Sequence, residues 1–314
     1  MYTLNKAFAD FIFHCKHEKG LSEKTINFYS IDLSQFTEFI LNNKINDEVS
    51  AIQKEDLRLY IQSLSKFKPR TIKRKLATLK SFFGNLEFED KISINPFRKM
   101  KIKIKEPRTL PKALNKNEVK EIFRQVYNSK NSSRGETEYS EFVNARNVAV
   151  FELLFASGIR VSELSNLKTN HVNLKLGYIK VNGKGNKERV IQICTSEVLS
   201  ALNAYLNMLQ FKFAQTQEYF FINRLGNKLS DQSIRSVVKK FSKQAKISSN
   251  VTPHVFRHTF ATLMLENDVD IKYIQSFLGH SSIATTQIYT HVSRAKQRKI
   301  VQMKHPRRDF SMGG

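Results

Sequence analysis

One stretch of this sequence dictates how the rest must be arranged. Asn95-Pro96 ends a block of helical periodicity, Arg98-Lys99-Met100-Lys101-Ile102-Lys103-Ile104-Lys105 follows, and Pro107 and Pro111 close it. Proline cannot continue a helix and pushes the residue before it out of the helical region, so no single helix crosses this point. A chain of 314 residues with such a break is expected to fold as two units. The alternation of Lys with Met or Ile would suit a strand. Between two units, with prolines behind it, we expect instead an extended basic linker over 96–112. One domain is then expected at 1–95 and a second at 113–314.

Within the first block apolar residues recur every three or four positions, as on one face of a helix. Phe8, Phe11, Ile12 and Cys15 make one stripe. Ser22 is a plausible cap for a helix over Glu23–Leu41 carrying Ile26, Tyr29, Leu33, Phe36 and Ile40. A third helix is expected near Lys54–Leu64, and a fourth after Pro69 with Ile72, Leu76, Leu79, Phe82 and Phe83. In the second block Asn115 caps a helix over Lys116–Val126, the polar residues 128–141 read as loop, and helix returns over Glu141–Ala156. Further helices are expected at Ser196–Lys212, Ser230–Lys246, Pro253–Glu266, Ile271–Leu278 and Ser282–His291. The single β signal is Gly177–Cys194, where Tyr178, Ile179 and Val181 precede Gly183-Lys184-Gly185-Asn186 and Val190, Ile191 and Ile193 follow, as in a hairpin. The chain reads as mainly α with a small antiparallel β element.

Charge narrows the function. Lys plus Arg number 52 against 28 Asp plus Glu, a formal net charge of +24, which points to a polyanionic partner, most often nucleic acid. The last helix of the first block carries Arg70, Lys73, Arg74, Lys75 and Lys80 with no acid between Lys66 and Lys80. A solvated face would usually mix both signs, so we expect these five to face DNA phosphates. A membrane partner is disfavoured: the longest apolar run, Val148–Ala156, is interrupted by Glu152 and is too short for a span. Met1–Lys6 lacks the apolar core of a secretory signal. Cys15 and Cys194 can make neither a disulfide framework nor a cysteine zinc site. The expectation is a cytoplasmic nucleic-acid-binding protein without membrane, metal or cofactor.

Several polar residues fall where chemistry could use them. Thr252-Pro253-His254-Val255-Phe256-Arg257-His258 opens a helix, with Pro at its favoured first position. His254 and Arg257, three apart, share a first turn whose free N–H groups and dipole suit an anion, although an ordinary charged helix start fits as well. His254 and His258 have zincin spacing, but Val255 stands where a zincin needs its catalytic Glu. Gly279 is the expected residue just past a helix end, His280 follows it, and Tyr289 falls near the end of the next helix. Arg160, in Gly158-Ile159-Arg160-Val161-Ser162-Glu163-Leu164, starts another helix and could pair locally with Glu163. Lys184 alone reads as an exposed turn lysine. Together these residues are what metal-independent phosphodiester cleavage needs. Arginines and a histidine neutralise charge on the non-bridging oxygens, and a lysine protonates the leaving 5′-oxygen. A tyrosine, weakly nucleophilic at its usual pKa of about 10, then has cations and a base to activate it.

The strings Ser157-Gly158-Ile159-Arg160-Val161-Ser162-Glu163-Leu164, Val181-Asn182-Gly183-Lys184-Gly185-Asn186-Lys187-Glu188-Arg189, Pro253-His254-Val255-Phe256-Arg257-His258-Thr259-Phe260-Ala261-Thr262 and Leu278-Gly279-His280-Ser281-Ser282-Ile283-Ala284-Thr285-Thr286-Gln287-Ile288-Tyr289-Thr290-His291-Val292 closely resemble the signatures of tyrosine site-specific recombinases. The Xer branch, which resolves chromosome dimers, is the most similar, including the closing Lys304-His305-Pro306-Arg307. The likeness is specific from 157 to 292 and only architectural over 1–110. It implies an N-terminal four-helix, SAM-like DNA-binding domain plus an α-rich catalytic domain with a small antiparallel β-sheet. It further implies that Arg160, Lys184, His254, Arg257 and His280 activate the phosphate, with Tyr289 as nucleophile and Glu163 as a supporting acid. On this reading Tyr289 forms a 3′-phosphotyrosine with neither ATP nor metal, and a 5′-hydroxyl of a partner duplex attacks it. The implied partners are double-stranded DNA with inverted-repeat half-sites and three further protomers, in a homotetramer or a heterotetramer with a paralogue. A DNA translocase is a further candidate partner. The segment after Tyr289 would dock into a neighbouring protomer. Residues 128–141 are longer than the Xer pattern, which keeps an integrase of a mobile element open. A type IB topoisomerase, a non-catalytic DNA-binding regulator and a metal-dependent nuclease are weaker alternatives, the last because no carboxylate cluster is visible.

Overall fold

The computed structural model describes residues 2–106, 113–129, 138–183, 188–193, 195–213 and 217–279. The chain divides into two compact units between residues 109 and 110.

The first unit is built on four α-helices: α1 (Leu4–Phe13), prolonged by a π-helical turn over His14–Glu18, α2 (Glu23–Asn42), α3 (Lys54–Ser63) and α4 (Pro69–Phe88). Ser22 caps α2, its hydroxyl accepting from the Thr25 N–H at 3.4 Å. The apolar stripes read from the sequence meet in one core, with Phe11, Phe36, Phe82 and Phe83 fully buried and Phe8 packed edge-on to Phe82 at 4.6 Å between centroids. A fully buried Asp32 on α2 crosses this core to α4. It binds Arg74, accepts from the Lys75 ammonium at 3.2 Å and accepts from the Thr78 hydroxyl at 3.0 Å.

That network corrects one expectation. Lys75 is 2% exposed, held by Asp32 and Gln35, so it does not belong to a phosphate-facing surface. The absence of acids around it in sequence misled, because its counter-charge comes from α2, more than forty residues earlier. Asp32→Asn would leave the Lys75 ammonium buried without a carboxylate. Breaking one side of such a pair costs about 3–5 kcal/mol. We expect a large drop in the urea midpoint, with little change in the slope of unfolding; a midpoint within error of wild type would show that the network carries no stability.

The start of the segment expected as a linker is also part of this unit. Phe97 is 7% exposed and lies 5.9 Å from Phe83, and Met100, Ile102 and Ile104 pack against the same core. Lys99, Lys101, Lys103 and Lys105 alternate with them and face outward. Residues 101–106 run without helix or strand hydrogen bonding, so this is an extended strap with the two-residue periodicity of a strand but no ladder.

The second unit is centred on α6 (Glu138–Ser157), which packs against α8 (Ser196–Lys212) and α10 (Pro253–Glu266), with α5 (Lys116–Asn128) and α9 (Asp231–Gln244) alongside. The run Val148–Ala156 is this central helix, and Phe151 on it meets Phe241 and Phe256 edge-on, each at 5.6 Å. None of the described helices is long and apolar enough to cross a membrane. The expected hairpin is present as β2 (Tyr178–Asn182) and β3 (Glu188–Gln192), pairing antiparallel with Val181 opposite Arg189. A two-residue strand β1 (Val172–Asn173), which the sequence reading did not find, joins the open edge of β2. Strand β1 is too short to show a two-residue period. The short helix α7 (Val161–Ser165) begins after Arg160, and α11 (Ile271–Leu278) closes the described chain.

Candidate functional site

The site is assembled at the C-terminal end of α11. A helix leaves its last carbonyls without intrahelical partners and its C-terminus partly negative. Here three arginines from three other elements supply the donors. Arg189 Nε on β3 donates to the Phe277 carbonyl at 3.2 Å, Arg257 Nη2 on α10 to that of Leu278 at 2.6 Å, and Arg160 Nη2 before α7 to that of Gly279 at 3.2 Å. The helix stops because Gly279 adopts the left-handed conformation, φ 61°, that only glycine enters freely.

Two of the arginines are also tied to each other through Glu163. Its side chain is 3% exposed. It reaches back to accept from the Arg160 backbone N–H at 2.9 Å, which caps α7. It accepts from Arg160 Nη1 at 2.7 Å and from both terminal nitrogens of Arg189 at 2.8 Å. Burial by itself would raise the pKa of this carboxyl. Hydrogen bonds from Arg189 and the Arg160 backbone, together with the two guanidinium charges, override burial and hold it at about 2. Glu163 is therefore ionised at any working pH.

Arg257 is 5% exposed and spans two backbone segments, because its Nη1 also donates to the Gly158 carbonyl at 2.7 Å. Gly158 has φ 58°, and a Cβ there would lie 2.8 Å from both Leu278 and Phe260 side chains, so the approach of α10 and α11 to this turn requires glycine. The sequence placed His254 and Arg257 together on an exposed first turn. In the structure His254 is exposed while Arg257 is turned inward, because its guanidinium is needed by carbonyls of two other segments. Thr252 precedes α10 as expected, but its side chain makes no cap bond; Pro253 at the first position sets the start of the helix.

Of the residues selected from the sequence, the structure thus brings together Arg160, Glu163 and Arg257, and places His254 at the start of α10. Lys184, His280 and Tyr289 lie outside the described residues, as do the helix expected over Ser282–His291 and the tail. Among the basic residues of α4, Arg70, Lys73 and Lys80 are exposed. Arg74 lies over the Phe28 ring as well as against Asp32, and Lys73 pairs with Glu106 at 3.0 Å.

Arg189 was not selected, although a signal existed. It is opposite Val181, a buried residue, and shares the inward register of β3 with buried Ile191. Cross-strand partners lie on one face of a sheet, so an arginine at that register must have an internal counter-charge.

Chemically, the described contacts use two of the five Arg160 side-chain N–H donors, and that side chain is 28% exposed. A planar guanidinium held this way is prepared to receive two oxygens of a phosphate. Two guanidinium groups bond the one carboxylate and a third, that of Arg257, bonds the same helix end, an excess of positive charge that favours an anion.

Residues 112–296 match the phage integrase family, and residues 8–89 match the phage integrase N-terminal SAM-like domain. A tyrosine recombinase of Agathobacter rectalis is 44% identical over 311 residues, covering 99% of each chain. The tyrosine recombinase XerC of Leptospira interrogans is 37% identical, covering 97% of this chain and 94% of its own. Among solved structures, the XerH site-specific recombinase bound to a palindromic difH substrate superposes with a TM-score of 0.71 at 22% identity, over 92% of this chain and 82% of that one.

Proposed function

This chain belongs to the phage integrase family and is a tyrosine recombinase that breaks and rejoins DNA, and from that premise we propose how its residues divide the work and what it recombines. Arg160 and Arg257, with His280, hold the scissile phosphate and offset the charge that builds on its oxygens. His254, exposed at the head of α10, accepts the proton of Tyr289 and later returns it. Lys184 protonates the leaving 5′-oxygen, which departs as a hydroxyl. Tyr289 attacks phosphorus; its oxygen becomes esterified to the 3′-phosphate as the bond to the 5′-oxygen breaks. The incoming 5′-hydroxyl of a second duplex reverses the exchange, so the bond energy is conserved.

The observation that carries this reading is the gathering of the two arginines and a buried glutamate at one helix end, ahead of the segment bearing His280 and Tyr289. The first unit, through the exposed Arg70, Lys73 and Lys80, would grip DNA as well. We place the substrate as paired sites with inverted-repeat arms, occupied by four protomers, and the role as Xer-type resolution of chromosome or plasmid dimers. The integrase of a mobile element is the other role the same chemistry would serve.

A duplex selected by the wild-type chain from random-sequence DNA supplies the probe. Two differently labelled copies, incubated with the protein in EDTA, should yield recombinant molecules. Relaxation of supercoils with no exchange would instead identify topoisomerase chemistry and sink the proposal.

A further inference from the structure

Arg160 and Arg257 have roles in the reading above; Arg189, the third arginine at the end of α11, has none. Each oxygen of Glu163 is shared between two arginines. Oε1 accepts from Arg160 Nη1 at 2.7 Å and Arg189 Nη1 at 2.8 Å; Oε2 accepts from the Arg160 backbone N–H at 2.9 Å and Arg189 Nη2 at 2.8 Å. These four donors satisfy a buried carboxylate whose lone pairs would otherwise seek the nearest guanidinium. Without Arg189 that guanidinium is Arg160. A bidentate fork between Arg160 and Glu163 is the favoured geometry for such a pair, and adopting it would draw Arg160 away from the Gly279 carbonyl.

We propose that Arg189 is a positioning residue for recombination: by occupying half of the Glu163 carboxylate and bonding the Phe277 carbonyl, it keeps the Arg160 guanidinium turned toward the phosphate and fixes the end of α11 from which His280 follows. The proposal rests on the reading of Arg160 and His280 as phosphate ligands. Gly279 supports it independently. A Cβ on Gly279 would lie 3.1 Å from Cδ and Nη1 of Arg189 and 3.2 Å from its Nε, so the arginine packs flat against that backbone. Lysine cannot substitute, since one ammonium cannot serve two carboxylate oxygens and a carbonyl in a single plane.

The charged groups that meet Glu163 among the described residues are Arg160, from the turn before α7, and Arg189, from β3. Removing Arg189 leaves a buried carboxyl with half its donors, and its pKa rises from about 2. Cleavage should then lose more of its rate at acid pH than wild type does, beyond the acid limb that protonation of His254 gives both proteins.

The test uses the full chain and a nicked form of the selected duplex, which traps the protein–DNA adduct. Arg189→Leu and Arg189→Lys should both bind the intact duplex within about threefold of wild type. Both should form adduct about 10- to 100-fold more slowly, the loss usual when a group that orients an active-site ligand is removed. The ratio of the Arg189→Leu rate to the wild-type rate should fall further as pH drops toward 5, and adding Glu163→Gln should make that ratio independent of pH. Wild-type rates in Arg189→Leu at every pH would overturn the proposal. So would a loss of rate that follows a loss of binding with no acid limb beyond that of wild type, which is the mark of a merely structural residue. If wild type itself never forms an adduct, the assigned chemistry falls and the positioning role with it.

Discussion

Tyr289→Phe is expected to give a protein that binds its DNA and never becomes joined to it. The substitution removes one oxygen, the atom that would be esterified, and nothing else in the set can replace it. On the proposed reading His254 and Lys184 move protons and form no bond to phosphorus, and a water attacking in the tyrosine's stead would hydrolyse the strand rather than store the bond. With its nucleophile removed, an enzyme of this kind loses at least about 10⁴ in rate. On the nicked duplex the adduct should fall below detection, while affinity for the intact duplex stays within about twofold, because a phenol hydroxyl carries little of a binding energy dominated by phosphate contacts. Mass spectrometry of the wild-type adduct should find the nucleotide on Tyr289. An adduct of normal yield in the Tyr289→Phe protein would move the nucleophile elsewhere and undo the assignment.

Arg257→Lys is expected to be nearly as damaging, although it conserves charge. Arg257 bonds the carbonyls of Gly158 and Leu278 with separate nitrogens, at 2.7 and 2.6 Å. A lysine reaches one of them at most, leaving a buried carbonyl unpaired at a cost of about 1–3 kcal/mol. It also loses the planar fork that would face the phosphate. Removal of one donor that stabilises developing negative charge typically lowers the rate about 10²–10³-fold, and here the frame moves too, so we expect the adduct rate to fall about 10³-fold. A modest drop in melting temperature should accompany it. A rate within tenfold of wild type would mean that Arg257 holds the frame and does not touch the phosphate.

Much of this was legible in the sequence where local rules decide. The ends of α8, α10 and α11 agree with the expected helices, since each apolar stripe, the Pro253 start and the Gly279 stop act within a few residues. The hairpin was legible for the same reason, and family likeness carried the choice of Arg160, Glu163, His254 and Arg257. What the sequence hid were partnerships between distant elements. Asp32 neutralises Lys75 from another helix, and no window along the chain joins them. Arg189 reads as one more basic residue in Lys187-Glu188-Arg189 until strand pairing shows which face it takes. The inward turn of Arg257 depends on carbonyls 99 residues before it and 21 after.

The segment over 97–104, a turn running into the extended strap, alters where this protein can be taken apart. Phe97 fills the space beside Phe83 and under the Lys80 ammonium, and Met100, Ile102 and Ile104 cover the same core. Scissors placed at Pro96, where the punctuation invites them, would strip a hydrophobic lid from the helices and yield a sticky fragment. An isolated amino-terminal piece has to extend past Ile104 to stay whole, and the four lysines that come with it make that piece a stronger polyelectrolyte than its helices alone.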